Sequence, residues 1–289
     1  MQVSQTKTEI QSLLAEAHAA PLHRFGQNFM IDRNLVRVVA ESAEISADDL
    51  VIEVGPGTGT LTEELLAAKP AKVIAVEIDR NLAELLRRRF ADDSRFALIE
   101  GDALSSKHQL NAELLVAIGD WKGRPIKLVA NLPYNIASPL VIELLLAGVT
   151  QLVFTVQKEV AERLRASANE EAYGPLSVTA QLLSTVKILR TLPPQAFWPM
   201  PKIDSALVCM NRDDQLGDRA AAFGLFLRSL FSARRKTMRK AMSMAGFAAE
   251  EILAPLNLDG QKRPEEFSPP QWLAMFEAAS AGEIPPPAG

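Results

Sequence analysis

Short apolar runs alternate along the chain with stretches whose apolar residues fall three or four apart. Leu50-Val51-Ile52-Glu53-Val54 is a nearly continuous apolar run of strand length. Comparable runs occupy 72–78, 95–100, 126–130 and 151–156. The spacing between them predicts helices over 33–42, 61–68, 82–90 and 136–148, with another opening at Gln157. Asp32 stands where an N-cap belongs. Strands alternating with helices predict a parallel sheet with right-handed crossovers and helices on both faces, an α/β fold. Two later β-rich runs, 186–192 and 205–210, flank the proline-rich turn 193–201 and read as a terminal hairpin completing the sheet.

Beyond Arg212 the pattern changes. Residues 211–218 are polar, and from Ala220 onward the spacing is helical with no strand candidate. The expected organisation is an N-terminal arm over 1–24, the sheet domain over 25–212, a small all-helical domain over 213–280 and a disordered tail over 281–289. A length of 289 residues suits one large domain with a smaller companion, and 48% hydrophobic with 23% charged residues is the composition of a soluble globular protein. The single cysteine, Cys209, excludes an intramolecular disulfide and fits a reducing compartment. His18, His23 and His108 make no ligand spacing with it, so no metal is expected. No signal peptide is legible in 1–24, and the most apolar helical run, 139–149, contains Glu143 and is too short to cross a bilayer. A cytoplasmic monomer without a membrane partner is the expectation. The net charge of −4 argues mildly against a nucleic-acid partner unless a basic face is locally clustered.

Candidate chemistry gathers at strand ends. Gly55-Pro56-Gly57-Thr58-Gly59 follows the 50–54 strand and precedes a helix, a turn in which glycines let the backbone approach a ligand. Glu77 ends the next strand, placed to take both hydroxyls of a ribose. The third glycine comes one position too early for a nicotinamide fingerprint, Thr60 stands in its place, and no second nucleotide half is evident. Asp102 ends the third strand, where it can accept from an adenine amino group or cap a helix. The pattern fits S-adenosylmethionine better than a dinucleotide.

Asn131-Leu132-Pro133-Tyr134 ends the fourth strand. The Asn131 side-chain oxygen can accept a hydrogen bond from an exocyclic amine. Pro133 biases Leu132 to an extended conformation, which can hold the Leu132 carbonyl as a second acceptor. Tyr134 can stack on a base. The competing reading is a strand-to-helix turn in which Asn131 caps and Tyr134 packs.

Six segments occur in a fixed order: Phe25-Gly26-Gln27-Asn28-Phe29, Glu53 to Gly59, Asn131-Leu132-Pro133-Tyr134-Asn135, Gln157-Lys158-Glu159-Val160, Tyr173-Gly174-Pro175-Leu176-Ser177 and Pro201-Lys202-Ile203-Asp204-Ser205. Together they resemble the ribosomal RNA adenine dimethyltransferase family, and within it the bacterial small-subunit branch, over about residues 22–240. The resemblance implies a Rossmann-like, S-adenosylmethionine-dependent methyltransferase sheet. It implies that Asn28, Met30, Gly55, Gly57, Glu77, Asp102 and Asn131 contact the methyl donor. It implies that Asn131 to Tyr134 grip a target adenine, with Phe197 as a second aromatic face. Met30 stands where the family more often has leucine. Nothing functional carries over to the N-terminal arm or to the insert over 104–124.

Arg228, Arg234, Arg235, Lys236, Arg239 and Lys240 cluster near Phe231 in a helical segment, a local inversion of the chain's acidic balance that suits phosphate contact. Arg87, Arg88 and Arg89 read as a solvated helix end. The leading expectation is dimethylation of N6 on two adjacent adenosines near the 3′ end of small-subunit (16S) ribosomal RNA within a pre-30S particle. The alternatives are an adenine methylase acting on large-subunit RNA or on DNA, and a non-catalytic ribosome-assembly or transcription factor.

Overall fold

Seven of the β-rich runs assemble into one sheet. The computed structural model describes residues 5–21, 27–106 and 109–281. In chain order, α1 (Lys7–Glu16) and β1 (Phe29–Met30) precede α2 (Arg33–Glu41). Then β2 (Leu50–Val54), α3 (Thr60–Ala67), β3 (Lys72–Glu77), α4 (Arg80–Arg89) and β4 (Phe96–Glu100) alternate. The insert holds β5 (Leu104–Ser106), β6 (Gln109–Leu110) and α5 (Ala112–Asp120). Next come β7 (Ile126–Asn131), α6 (Ala137–Leu146), β8 (Gln151–Gln157), α7 (Lys158–Arg165), α8 (Pro175–Leu183), β9 (Ser184–Leu192), β10 (Phe197–Trp198) and β11 (Ser205–Arg212). Helices α9 (Ala220–Phe231), α10 (Met238–Met244), α11 (Ala249–Leu253) and α12 (Pro269–Ala281) follow.

The sheet order is β4-β3-β2-β7-β8-β11-β9. Strands β2, β3, β4, β7 and β8 run parallel, and β11 is antiparallel to β8. Every residue of β2 is buried, as a central parallel strand covered on both faces requires. From β2 the chain steps outward to β3 and β4, then returns to the other side of β2 at β7. The strand order therefore reverses between β2 and β7, which opens a crevice beyond their carboxyl ends. Asp32 caps α2 as its position predicts, accepting from the N–H groups of Asn34 (2.9 Å) and Leu35 (3.2 Å).

One pairing escaped the linear reading. The polar and aromatic loop around Phe29 and the proline-rich turn around Phe197 pair with each other, Phe29 opposite Trp198 and Met30 opposite Phe197. This two-residue bridge has no periodicity to betray it. The Phe197 ring, which the resemblance implies as a second aromatic face, is 2% exposed and packs in the apolar core with Met30, Val36, Val39 and Leu207.

The chain divides into two compact units, one of residues 1–161 and 186–212, the other of 162–185 and 213–289. The second unit thus takes in α8, which a boundary drawn at 212 leaves out. The composition shift at 211–218 marks only one of the places where the chain passes between the units. The second unit has an aromatic core in which Phe231 stacks on Trp272 (5.0 Å between centroids) and Phe223 meets Phe276 edge-on. The Tyr173 to Ser177 motif is structural here: the Tyr173 hydroxyl donates to the Phe267 carbonyl (2.6 Å), and the Ser177 hydroxyl donates to the Arg163 carbonyl (2.5 Å).

In the first unit, the arm expected over 1–24 contains α1, closed by a reciprocal cap between Thr6 and Glu9. Ile10 and Leu14 bury against Phe29, Leu82 and Leu85. Residues 22–24 of that arm, Phe25 and Gly26 of the first motif, and tail residues 282–289 lie outside the described residues. Substituting Phe197→Ala should destabilise the protein by about 3–5 kcal/mol, the usual cost of emptying a buried phenyl site. A lowered urea midpoint for this variant, with Phe197→Leu near wild type, is the expected result.

Candidate active site

Gly55 and Gly57 both take positive φ, +72° and +61°. A Cβ on Gly57 would stand 2.7 Å from the Phe29 ring, and one on Gly55 3.2 Å from Pro133. The turn is therefore pressed between β1 and the segment after β7, and only glycine fits both the backbone conformation and the space. Around it lies a cleft whose lining includes Asn28, Met30, Gly55, Gly57, Glu77 and Asn131. These six are among the residues the sequence resemblance assigns to the methyl donor. Asp102 lines an adjoining cleft that shares Gly55, Ile78 and Pro133 with the first. Its carboxylate accepts from the Leu104 N–H (3.0 Å), holding the turn into β5.

Glu77 is 2% exposed. Its carboxylate accepts from the N–H groups of Gly57 (3.1 Å) and Asp79 (2.9 Å). Burial pushes its pKa up to about 7, opposed by those backbone hydrogen bonds. Glu53 lines the same cleft and is buried to the same degree. It accepts from the Thr62 hydroxyl at 2.6 Å, and burial, with a smaller push from Glu77, raises its pKa to about 8. The signal for Glu53 was available in the sequence: it is a lone carboxylate inside an apolar strand.

Asn131 closes the far side of the cleft. Its amide nitrogen donates to the Asn28 carbonyl (2.5 Å), and its oxygen accepts from the Thr155 hydroxyl. An amide oxygen has two lone pairs, so one remains for an incoming donor. The Leu132 N–H donates to the Thr155 carbonyl (3.2 Å), which fixes the peptide ahead of Pro133. The Tyr134 hydroxyl is hydrogen-bonded to Ser205 (2.7 Å), and burial raises its pKa against that bond. Thr155 and Ser205 are both fully buried, and neither was singled out for a role by sequence reasoning. A polar residue within an apolar strand was again the signal.

The underside of the glycine turn is held by residues the sequence reading set aside. Gln5 is buried; with its amide nitrogen toward Thr58 (2.8 Å) and Thr60 (2.9 Å), its oxygen accepts from Arg89 (2.7 Å). Arg89 also binds the Thr58 carbonyl and the Glu63 carboxylate. It is thus not part of a solvated helix end, unlike Arg87 and Arg88, whose ion pairs with Glu100 and Glu84 are half-exposed.

In the second unit Arg228, Arg234, Arg235, Lys236, Arg239 and Lys240 are all exposed. Arg234, Arg235 and Lys236 occupy the turn between α9 and α10, while Phe231 faces the core. Arg239 pairs with Glu250 (2.6 Å), so part of the basic charge is locally offset.

A family model described as ribosomal RNA adenine dimethylase matches residues 22–280. The chain belongs to this family. The Ribosomal RNA small subunit methyltransferase A of Synechococcus sp. (strain RCC307) is 39% identical over 269 residues, covering 88% of this chain and 94% of its own. Its counterpart in Clostridium perfringens (strain SM101 / Type A) is 36% identical over 261 residues, 88% of each chain. Among solved structures, the 23S rRNA methyltransferase ErmE superposes with a TM-score of 0.64 at 25% identity, over 88% of this chain and all of its own. A dimethyladenosine transferase from Plasmodium falciparum has a TM-score of 0.68 at 22% identity, over 84% and 94%, a likeness of fold. Two segments quoted for the resemblance, at 131–135 and 201–205, meet physically through Tyr134 and Ser205.

Both buried glutamates stay protonated between their unfolded value of 4.5 and about 7 to 8, where the unfolded chain has already lost those protons. The folded state then binds more protons, so their contribution to stability falls as pH rises through that window. The thermal midpoint of the ligand-free protein should drop between about pH 6 and about pH 8.5, and Glu53→Gln should remove part of that drop. An unchanged slope in the variant would show that Glu53 titrates as an ordinary carboxylate.

Proposed function

We propose that the protein transfers methyl groups from S-adenosylmethionine to N6 of adenine in small-subunit ribosomal RNA. Its products are two adjacent N6,N6-dimethyladenosines near the 3′ end, made within a pre-30S particle. The observation that carries this reading is one cleft lined by Gly55, Gly57, Glu77 and Asn131 in a chain of the ribosomal RNA adenine dimethylase family.

The residues fit the donor. Glu77 presents a buried carboxylate whose oxygens each keep a lone pair for a ribose hydroxyl. The Gly57 turn offers backbone where no Cβ intrudes. Asn28 and Met30 line the same cleft. Asp102, beside the adjoining cleft, supplies an acceptor for the donor's adenine amino group. When bound, S-adenosylmethionine supplies an electrophilic methyl group on a sulfonium.

The target amine is a weak nucleophile because its lone pair is delocalised into the ring. The Asn131 oxygen and the Leu132 carbonyl accept its two hydrogens, which favours a pyramidal nitrogen aimed at the methyl group. Tyr134, its hydroxyl tied to Ser205, receives the base face. Catalysis is then positioning and electrostatics. The proton leaves after transfer, from a nitrogen made acidic by alkylation, so no side-chain base is needed beforehand. After the first methyl only one N6 hydrogen remains and one acceptor goes unused. The basic residues from Arg228 to Lys240 contact phosphates.

Purified small subunits lacking the modification should accept label from radiolabelled S-adenosylmethionine, recovered as N6,N6-dimethyladenosine. Asn131→Ala should cut the rate roughly 100-fold, the scale of losing one aimed acceptor. Label appearing only in large subunits would refute the target, and label in neither would refute the reaction. Donor affinity should also fall below the Glu77 pKa, about tenfold per pH unit, because only the ionised carboxylate accepts both hydroxyls. Titration calorimetry across pH 6 to 8, with Glu77→Gln binding weakly and without this slope, checks that dependence.

A further inference from the structure

Thr155 is a fully buried hydroxyl in a strand that is otherwise apolar through its middle. It lies directly across the ladder from Asn131 in the β7–β8 pairing. Its hydroxyl donates to the Asn131 side-chain oxygen, and the Asn28 carbonyl takes the Asn131 amide nitrogen. A backbone carbonyl only accepts, so it selects the nitrogen end of the amide. The hydroxyl holds the oxygen end from the opposite side. The two partners together leave the carboxamide one orientation, with one oxygen lone pair still uncommitted.

We propose that Thr155 is a positioning residue for methyl transfer: its hydroxyl fixes the Asn131 carboxamide so that an acceptor, rather than an NH2 donor, meets the target amine. This rests on the reading that Asn131 holds that amine. Without the hydroxyl, the amide keeps a single partner and can turn. A turned amide would point N–H groups at the amine hydrogens, a repulsive contact. The effect falls more on the reacting geometry than on donor binding: Asn131 also lines the donor cleft, but Glu77 and the glycine turn there keep partners of their own. The first transfer is the more sensitive step, because both N6 hydrogens need an acceptor then, whereas afterwards one acceptor goes unused.

The test compares Thr155→Val, which keeps the β-branched shape, with Thr155→Ser, which keeps the hydroxyl. Asn131→Ala is run alongside on small subunits lacking the modification. Thr155→Val should lower kcat at least roughly tenfold, with S-adenosylmethionine affinity within about twofold of wild type. Thr155→Ser should restore kcat to within about threefold. Wild-type kcat in Thr155→Val beside an inactive Asn131→Ala would overturn the proposal while leaving the Asn131 reading intact. Full activity in Asn131→Ala would overturn that reading itself. Loss of donor binding or a lowered melting temperature in Thr155→Val, or no rescue by serine, would assign Thr155 a structural role and also overturn the proposal.

Discussion

The reversal of strand order between β2 and β7 is the constraint on which the site depends. These neighbours send their connections in opposite directions, toward β3 on one side and β8 on the other. The loops leaving them must part, and the parted loops expose strand ends to a cleft. Four of the candidate residues sit at such ends: Gly55 after β2, Glu77 at the end of β3, Asp102 after β4 and Asn131 at the end of β7. The turn then presses so close to Phe29 at Gly57, and to Pro133 at Gly55, that a Cβ at either position is crowded. Topology places the site, and steric exclusion shapes it.

Polar groups in and beside the cleft are satisfied by partners within the protein. Glu77 is met by two backbone N–H groups, Glu53 by Thr62, Asn131 by Thr155 and Asn28, and Tyr134 by Ser205. Buried polar groups left unpaired are costly, and paired ones are rigid. The N-terminal segment joins this scheme, since Gln5 and Arg89 tie the Thr58–Thr60 portion of the glycine turn to α1 and α4. The arm thus supports the glycine turn even though its own sequence carries no recognisable motif.

Much of this was legible beforehand, for physical reasons that differ by element. The parallel strands are buried on both faces, so 50–54 and 126–130 read directly as apolar runs. Gly55 and Gly57 were legible because their backbone conformation admits few other residues, and Glu77 as the carboxylate closing the apolar run that follows the glycine turn. The β1–β10 bridge was not legible, because two residues paired across a long separation leave no local periodicity. The burial of Phe197 was not legible, because an aromatic beside a proline-rich turn looks the same in sequence whether it faces a ligand or the core. Arg89 looked like the third member of a charge run, yet its neighbours in space, Gln5 and Glu63, lie far away in sequence. Thr155 and Ser205 were visible only as polar residues in buried strands, a signal that points to a partner without naming it.

The proposed chemistry rests on the carbonyl of Leu132 and the carboxamide oxygen of Asn131 together holding the amine that receives the methyl group. A crystal structure of the protein with S-adenosylhomocysteine and a short RNA presenting an unpaired adenosine tests this directly. N6 should lie within hydrogen-bond distance of both oxygens, with the Thr155 hydroxyl still on the Asn131 oxygen and the base against Tyr134. An adenine seated with its amine away from both oxygens, or an Asn131 amide turned to present its nitrogen, would contradict it.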